Sequence, residues 1–223
     1  MIILALLLAS CQSNRRILSD EAHHQRAMEA IDQLGEDMLS DIEVNLSISA
    51  LEDALPGSYS IYREYVPLYD EYKDDYLEGV ADIAKSALPA FYDDIYDEIE
   101  ILSETAEDFL YDDTSLTLAL RGRLRISLIE SMSVALESYS AELESVFKPS
   151  EREFNSTRNA YQNLSDVGID RILPVAGKVN PRIVATVSVD ALFDSMAESE
   201  RLLKNRIVDR SSDSLYSIFW EGR

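Results

Sequence analysis

Residues 114 to 147 read TSLTLALRGRLRISLIESMSVALESYSAELESVF. No proline interrupts them. Leu, Ile, Val and Met recur at steps of three and four, the spacing of side chains on one helix face. We read the stretch as one long central helix of the core, straight or bent. The same rhythm extends outward from it. Toward the N-terminus, Ala27, Ile31, Leu34 and Met38 stripe a first helix, N-capped at Ser19 and running to about Leu39. A short apolar segment over residues 44–55 ends at the helix-breaking pair Pro56-Gly57. A tyrosine-rich helical region follows over residues 58–88, interrupted at Pro67. Pro89 suits the first turn of the next helix, which puts Tyr92, Ile95, Ile99 and Leu102 on one face.

Beyond the central stretch, Pro149 predicts a restart, with Ser150 and Glu153 as the capping box of a new helix. Residues 167–181 hold Gly168, Pro174, Gly177 and Pro181 and read as the main loop. Five of the seven residues 183–189 are β-branched. A lone strand has no partner, so they are expected as an extended lead-in to two last helices over 190–207 and 212–220. The fold class is therefore all-α: a helical bundle of about six to eight helices with one long central helix. It forms a single α-helical domain over residues 19–223.

Tyr62, Tyr65, Tyr69, Tyr72 and Tyr76 keep a spacing of three and four, and Val80, Ile83 and Ala87 continue it. Such a stripe can stack sugars or peptides, or pack the core. The smooth passage from Tyr to aliphatic residues favours packing, with the hydroxyls meeting water or carboxylates at the edge.

Composition narrows the function. Only 7 Gly and 6 Pro among 223 residues leave few turns, and 46% hydrophobic residues supply a core. A net charge of −22 repels phosphate backbones, so no nucleic acid is expected as a partner. It also keeps the folded part off an anionic lipid surface. The charge is uneven: residues 70–113 carry 16 acids against two lysines.

The N-terminus is of a different kind. Residues 2–8 are apolar but far short of the ~20 that span a bilayer. They suit the apolar core of a signal peptide and end in Leu8-Ala9-Ser10-Cys11, which resembles the bacterial lipobox. Residues 1–10 are read as a lipoprotein signal peptide, Cys11 as the lipid attachment site, and residues 11–18 as a tether. Gln12, where Asp commonly signals inner-membrane retention, leans toward the outer membrane. The run lacks a preceding Lys or Arg, which predicts a start upstream of Met1. Cys11 is the sole cysteine, so no disulfide can form within the chain.

No segment assembles a reactive site. His23 and His24 are the only histidines, and Glu21-Ala22-His23-His24 is half of a di-iron motif whose second half is missing. Zinc lacks a ligand set. The pairs Asp74-Asp75, Asp93-Asp94 and Asp112-Asp113 match no calcium loop and read as solvated charge. Arg210 with Ser211 and Ser212 reads as a helix cap with a salt bridge rather than an anion cradle. Arg121, Arg123 and Arg125 are expected to pair with the acidic residues 70–113, on opposite faces of the central helix. No catalytic residue, cofactor or metal site is nominated.

One resemblance emerges near the C-terminus. Asp190-Ala191-Leu192-Phe193, Ala197-Glu198-Ser199-Glu200, Arg210-Ser211-Ser212-Asp213 and residues 215–219 resemble the signature of an exported bacterial family known only as a domain of unknown function, DUF4197. Residues 87–120, with Thr114-Ser115, are more loosely similar to it. Ala191 and Ile207 depart from the family's Gly and Pro. The resemblance implies an exported helical domain and no activity. The expected function is a membrane-anchored envelope lipoprotein, a non-enzymatic interaction or structural module. Its partners are the membrane, through the lipid on Cys11, and a protein of the cell envelope. The alternative is a helical carrier of a small ligand or lipid.

Overall fold

The computed structural model describes residues 20–40, 42–165, 173–205 and 215–220. Among them every regular element is helical. Six helices of twelve residues or more build the bundle: α1 Asp20–Ser40, α4 Tyr69–Ala87, α5 Tyr92–Ser103, α6 Ser115–Ser138, α7 Ser140–Ser165 and α8 Pro181–Lys204. Two short ones, α2 Ile48–Leu51 and α3 Ser58–Tyr62, lie between α1 and α4. Short 3₁₀ turns lie at Leu88–Phe91, Ala106–Phe109 and Leu215–Trp220. The fold is all-α, a helical bundle, as the periodicity predicts.

Burial follows the stripes. Ala27, Ile31, Leu34 and Met38 of α1 are fully buried, and Ile95, Ile99 and Leu102 of α5 face the same core. Ile99 of α5 packs onto α1 where Gly35 omits a side chain: a Cβ there would sit 2.7 Å from Ile99 Cδ1. Gly79 does the same for α4 against Val146 of α7. Gly35→Ala should therefore cost about 1–3 kcal/mol in a urea melt, by overpacking. This holds although Ala is the better helix former. A loss below about 0.5 kcal/mol would mean that the two helices part freely at this point.

Two antiparallel pairs organise the bundle. In the first, Tyr69, Tyr76 and Gly79 of α4 meet Phe154, Phe147 and Val146 of α7. In the second, α6 lies along α8, with residue 116 beside 200 and 125 beside 190.

Three local expectations are corrected. The long stretch is not one helix. α6 ends at Ser138, Tyr139 leaves helical geometry (φ −88°, ψ 20°), and α7 begins at Ser140. The packing partner changes there: Leu128, Met132 and Leu136 belong to α6, whereas Phe147 and Phe154 turn to α4. Second, Pro149 does not restart a helix but lies inside α7. Pro149 and Ser145, whose carbonyl loses its hydrogen bond, are both exposed, so water can serve that carbonyl. Ser150 is buried and donates to the Tyr72 carbonyl at 2.8 Å, tying α7 to α4 instead of capping. Third, residues 183–189 are helical, because Asn180 caps Arg182 N–H and Pro181 occupies the first turn of α8. Val184, Ala185, Ser188 and Val189 are then buried at helical spacing.

The break at Pro67 is present. The chain turns between α3 and α4, and Leu68 takes a left-handed conformation (φ 59°) as it enters α4. Ser19, at which the first helix was expected to be capped, lies outside the described residues.

Candidate functional site

The polar chemistry of this chain concentrates in two places, the α6–α8 seam and the tyrosine cluster. The seam begins at the N-terminus of α6, where backbone N–H groups lack helical acceptors. Glu200 of α8 supplies them: its two carboxylate oxygens accept from Leu116 N at 3.1 Å and Thr117 N at 2.8 Å. This is an N-cap delivered from a different helix, with the negative charge at the positive end of the α6 dipole.

Four residues on, Lys204 Nζ lies 2.6 Å from Glu200 Oε1, and both side chains are fully buried. The same ammonium donates to the carbonyls of Phe109, at 2.6 Å, and Asp112, at 2.8 Å. It also lies 5.5 Å from the centre of the Phe219 ring. Burial lowers the Lys204 pKa, while neighbouring Glu200 pulls it back up. All three N–H donors are engaged and no face is open to solvent, so this lysine is a clasp rather than a nucleophile. It fixes the turn before α6 and the C-terminal 3₁₀ turn to the end of α8.

Further along the seam, Arg125 forks onto Asp190, with Nε to Oδ1 at 2.6 Å and Nη2 to Oδ2 at 2.7 Å. Arg121 bridges Asp190 at 2.9 Å and Asp194 at 2.8 Å. The hydrogen bond from Arg125 is the main cause that holds the Asp190 carboxyl below its usual range. Its folded pKa lies below its unfolded one. Its contribution to stability is therefore present above about pH 4 and is lost as pH falls through the depressed value. Of the three arginines, only Arg123 pairs with the acidic residues 70–113, through Glu98. Arg121 and Arg125 stand four apart, share a face and turn to α8.

The tyrosines form the second cluster, and they pack. Tyr62 stacks on Phe154 at 4.8 Å, Tyr59 meets its edge at 5.1 Å, and Tyr69 lies at 6.1 Å. Tyr59, Tyr62, Tyr69 and Tyr76 are buried, whereas Tyr65 and Tyr72 are half-buried. Two hydroxyls serve the backbone of the extended segment before α8, rather than water or carboxylates. Tyr62 donates to the Pro174 carbonyl, and Val179 N–H donates to Tyr76 Oη at 3.0 Å. Among the described residues Tyr59 Oη is buried without a hydrogen-bond partner, and burial pushes its pKa far above the tyrosine range. Burial also pushes Tyr76 up to about 12. Tyr59→Phe should leave stability unchanged or raise it by up to about 1 kcal/mol. Tyr76→Phe should cost about 1–3 kcal/mol, by stranding the Val179 amide. Equal losses in urea melts for both would mean that Tyr59 Oη has a partner of its own.

No family model, curated protein or solved structure matches the chain. The site therefore has to be read from its own geometry. Three clefts of 630, 570 and 500 Å³ lie open to solvent. The largest runs between residues 43–50 and α8 and is edged by Glu43, Asp194 and Glu198. Asp194 is already paired with Arg121, and Glu198 with Arg201 at 2.5 Å. His24 Nδ1 lies 3.6 Å from Glu107. Asp75, Asp93 and Asp94 are exposed, while Asp74 pairs with Lys73 at 3.1 Å. Asp112 Oδ1 accepts from Thr114 N at 3.0 Å as a local cap. Among the described residues no group of three or more His, Cys, Asp or Glu could hold a metal ion. Cys11, Arg210, Ser211, Ser212 and Ile207 lie outside the described residues.

Glu200 and Lys204 were not singled out as a pair from the sequence. The signal that could have found them is their i,i+4 spacing. Their burial has no local signature.

Proposed function

We propose that the chain is a lipid-anchored protein of the bacterial envelope whose helical domain works by contact rather than by catalysis. The observation that carries this reading is Leu8-Ala9-Ser10-Cys11 at the end of an apolar run of signal-peptide length, with Cys11 the only thiol in 223 residues. Two or more acyl chains on Cys11 give stable anchoring, since each buried CH₂ contributes ~0.8 kcal/mol. Gln12 favours the outer membrane. Among the described residues no helix is long and apolar enough to cross a membrane.

The α6–α8 seam supports the contact reading. Lys204, Glu200, Arg125 and Asp190 satisfy one another and nearby backbone, and spend their chemistry on holding helices together. The clefts are open grooves, which suits a surface for partners better than a carrier's enclosed pocket. Kinship with the DUF4197 family is part of the proposal. It is supported by the meeting of Glu200, Ser115 and Phe219, all within the resembling segments, around Lys204.

Metabolic labelling with a palmitate analogue tests the anchor. The parent chain should take up label, and Cys11→Ser should take up none and keep its signal. Equal labelling of the two would end the reading.

A further inference from the structure

The outer face of α6 is unlike the rest of this surface. Leu118, Ile126 and Val134 are 61%, 70% and 67% exposed and follow one another two turns apart. Gly122 lies between the first two, and a Cβ built on it would meet nothing within 4 Å. Together with Glu130 they form one i,i+4 row about 24 Å long that winds across the helix, with Ile126 at its centre and Leu118 and Val134 on opposite flanks. On a chain of net charge −22, α6 carries three arginines against two glutamates; Arg121 and Arg125 turn to α8, and Arg123 borders the row.

We propose that this row is a self-association surface: a second copy of the chain docks on it antiparallel, about a two-fold axis at Ile126. The charges choose that occupant. Arg123 lies one turn before Ile126 and Glu130 one turn after it. At 100° per residue both fall on the same flank, about 60° and 40° from Ile126. A two-fold axis across an antiparallel pair keeps each flank and reverses the order along the helix. Each Arg123 then meets the partner's Glu130, twice by symmetry. A parallel two-fold copy puts the partner's Arg123 and Glu130 on the opposite flank, so no such pair forms. Glu130 has no ion pair among the described residues, and Arg123 uses only Nη1 on Glu98. On the other flank Gly122 lets the second backbone approach. One helix face buries less than the ~1,200–2,000 Å² of stable interfaces. The dimer is therefore weak, and it gains where anchoring confines both copies to one membrane. The surface itself does not depend on Cys11, so it can fail while the anchor stands, and the reverse.

Disulfide trapping in cells that express the full chain tests this, with the parent chain, whose sole thiol is at Cys11, as background. Helices 8–10 Å apart bring the two 126 positions to within about 6 Å, inside disulfide reach. The two 134 positions lie about 24 Å apart. Ile126→Cys should therefore give a covalent homodimer, and Val134→Cys, equally exposed, should not. Adding Gly122→Leu to Ile126→Cys should slow trapping about tenfold or more. It should leave the urea midpoint unchanged or raised, since Gly is the poorer helix former and the space is open. Equal trapping at 126 and 134, trapping unaffected by Gly122→Leu, or an Ile126→Cys cross-link to a different protein would each overturn the proposal.

Discussion

Lys204→Ala is expected to destabilise the chain by about 3–5 kcal/mol, a large share of the roughly 5–15 kcal/mol that holds an ordinary domain folded. The loss is not that of one ion pair. Removing the ammonium strands the buried Glu200 carboxylate and leaves the Phe109 and Asp112 carbonyls to share the longer contact of the Ser115 hydroxyl. Lys204→Met keeps most of the volume and still strands the charge, so it should lose nearly as much. The double variant Glu200→Gln with Lys204→Met removes both charges and lets the amide keep part of the α6 cap. It should cost clearly less than the two single changes added together. Urea melts of the four proteins form the cycle. Additive losses would show that the two groups act independently and that no clasp exists.

Phe154→Ala carries the second large effect, about 3–5 kcal/mol. Phe154 is fully buried and its ring is shared by Tyr59, Tyr62 and Tyr69, so its removal opens a cavity among three helices, α3, α4 and α7. Tyr69→Ala should approach the same cost. Tyr72 is half-buried on the same helix, so Tyr72→Ala should lose markedly less. The ordering is the test: Tyr72→Ala as damaging as Phe154→Ala would place the centre of this core elsewhere.

These two sites differ in how visible they are from the sequence. The aromatic core was legible in outline because the tyrosine spacing is local and periodic. The hub Phe154 was not, since it lies on α7, far from the tyrosines in sequence, and the supposed restart at Pro149 hid the continuity of its helix. α1 and α5 were legible for the same reason as the tyrosines: Ile31, Leu34, Ile95 and Ile99 repeat with the helix period. Residues 183–189 misled because β-branched composition was weighed above Asn180-Pro181, a helix start written in cap chemistry. Tertiary packing then overrides the modest propensity cost of Val and Ile in a helix. The clasp showed only the i,i+4 spacing of Glu200 and Lys204, and its reach to α6 had no sign at all. Glu200 reaches Leu116 across 84 residues, and nothing near either residue announces the other. Gly35 and Gly79 gave no sign that they mark helix contacts, because the neighbour that fills the space comes from another part of the chain.

The anchor at Cys11 is tested most directly by the intact mass of the chain extracted from membranes. The lipoprotein assignment predicts a polypeptide that begins at Cys11 and carries two or three acyl chains. A chain that retains residues 1–10 and a free thiol at Cys11 would contradict it.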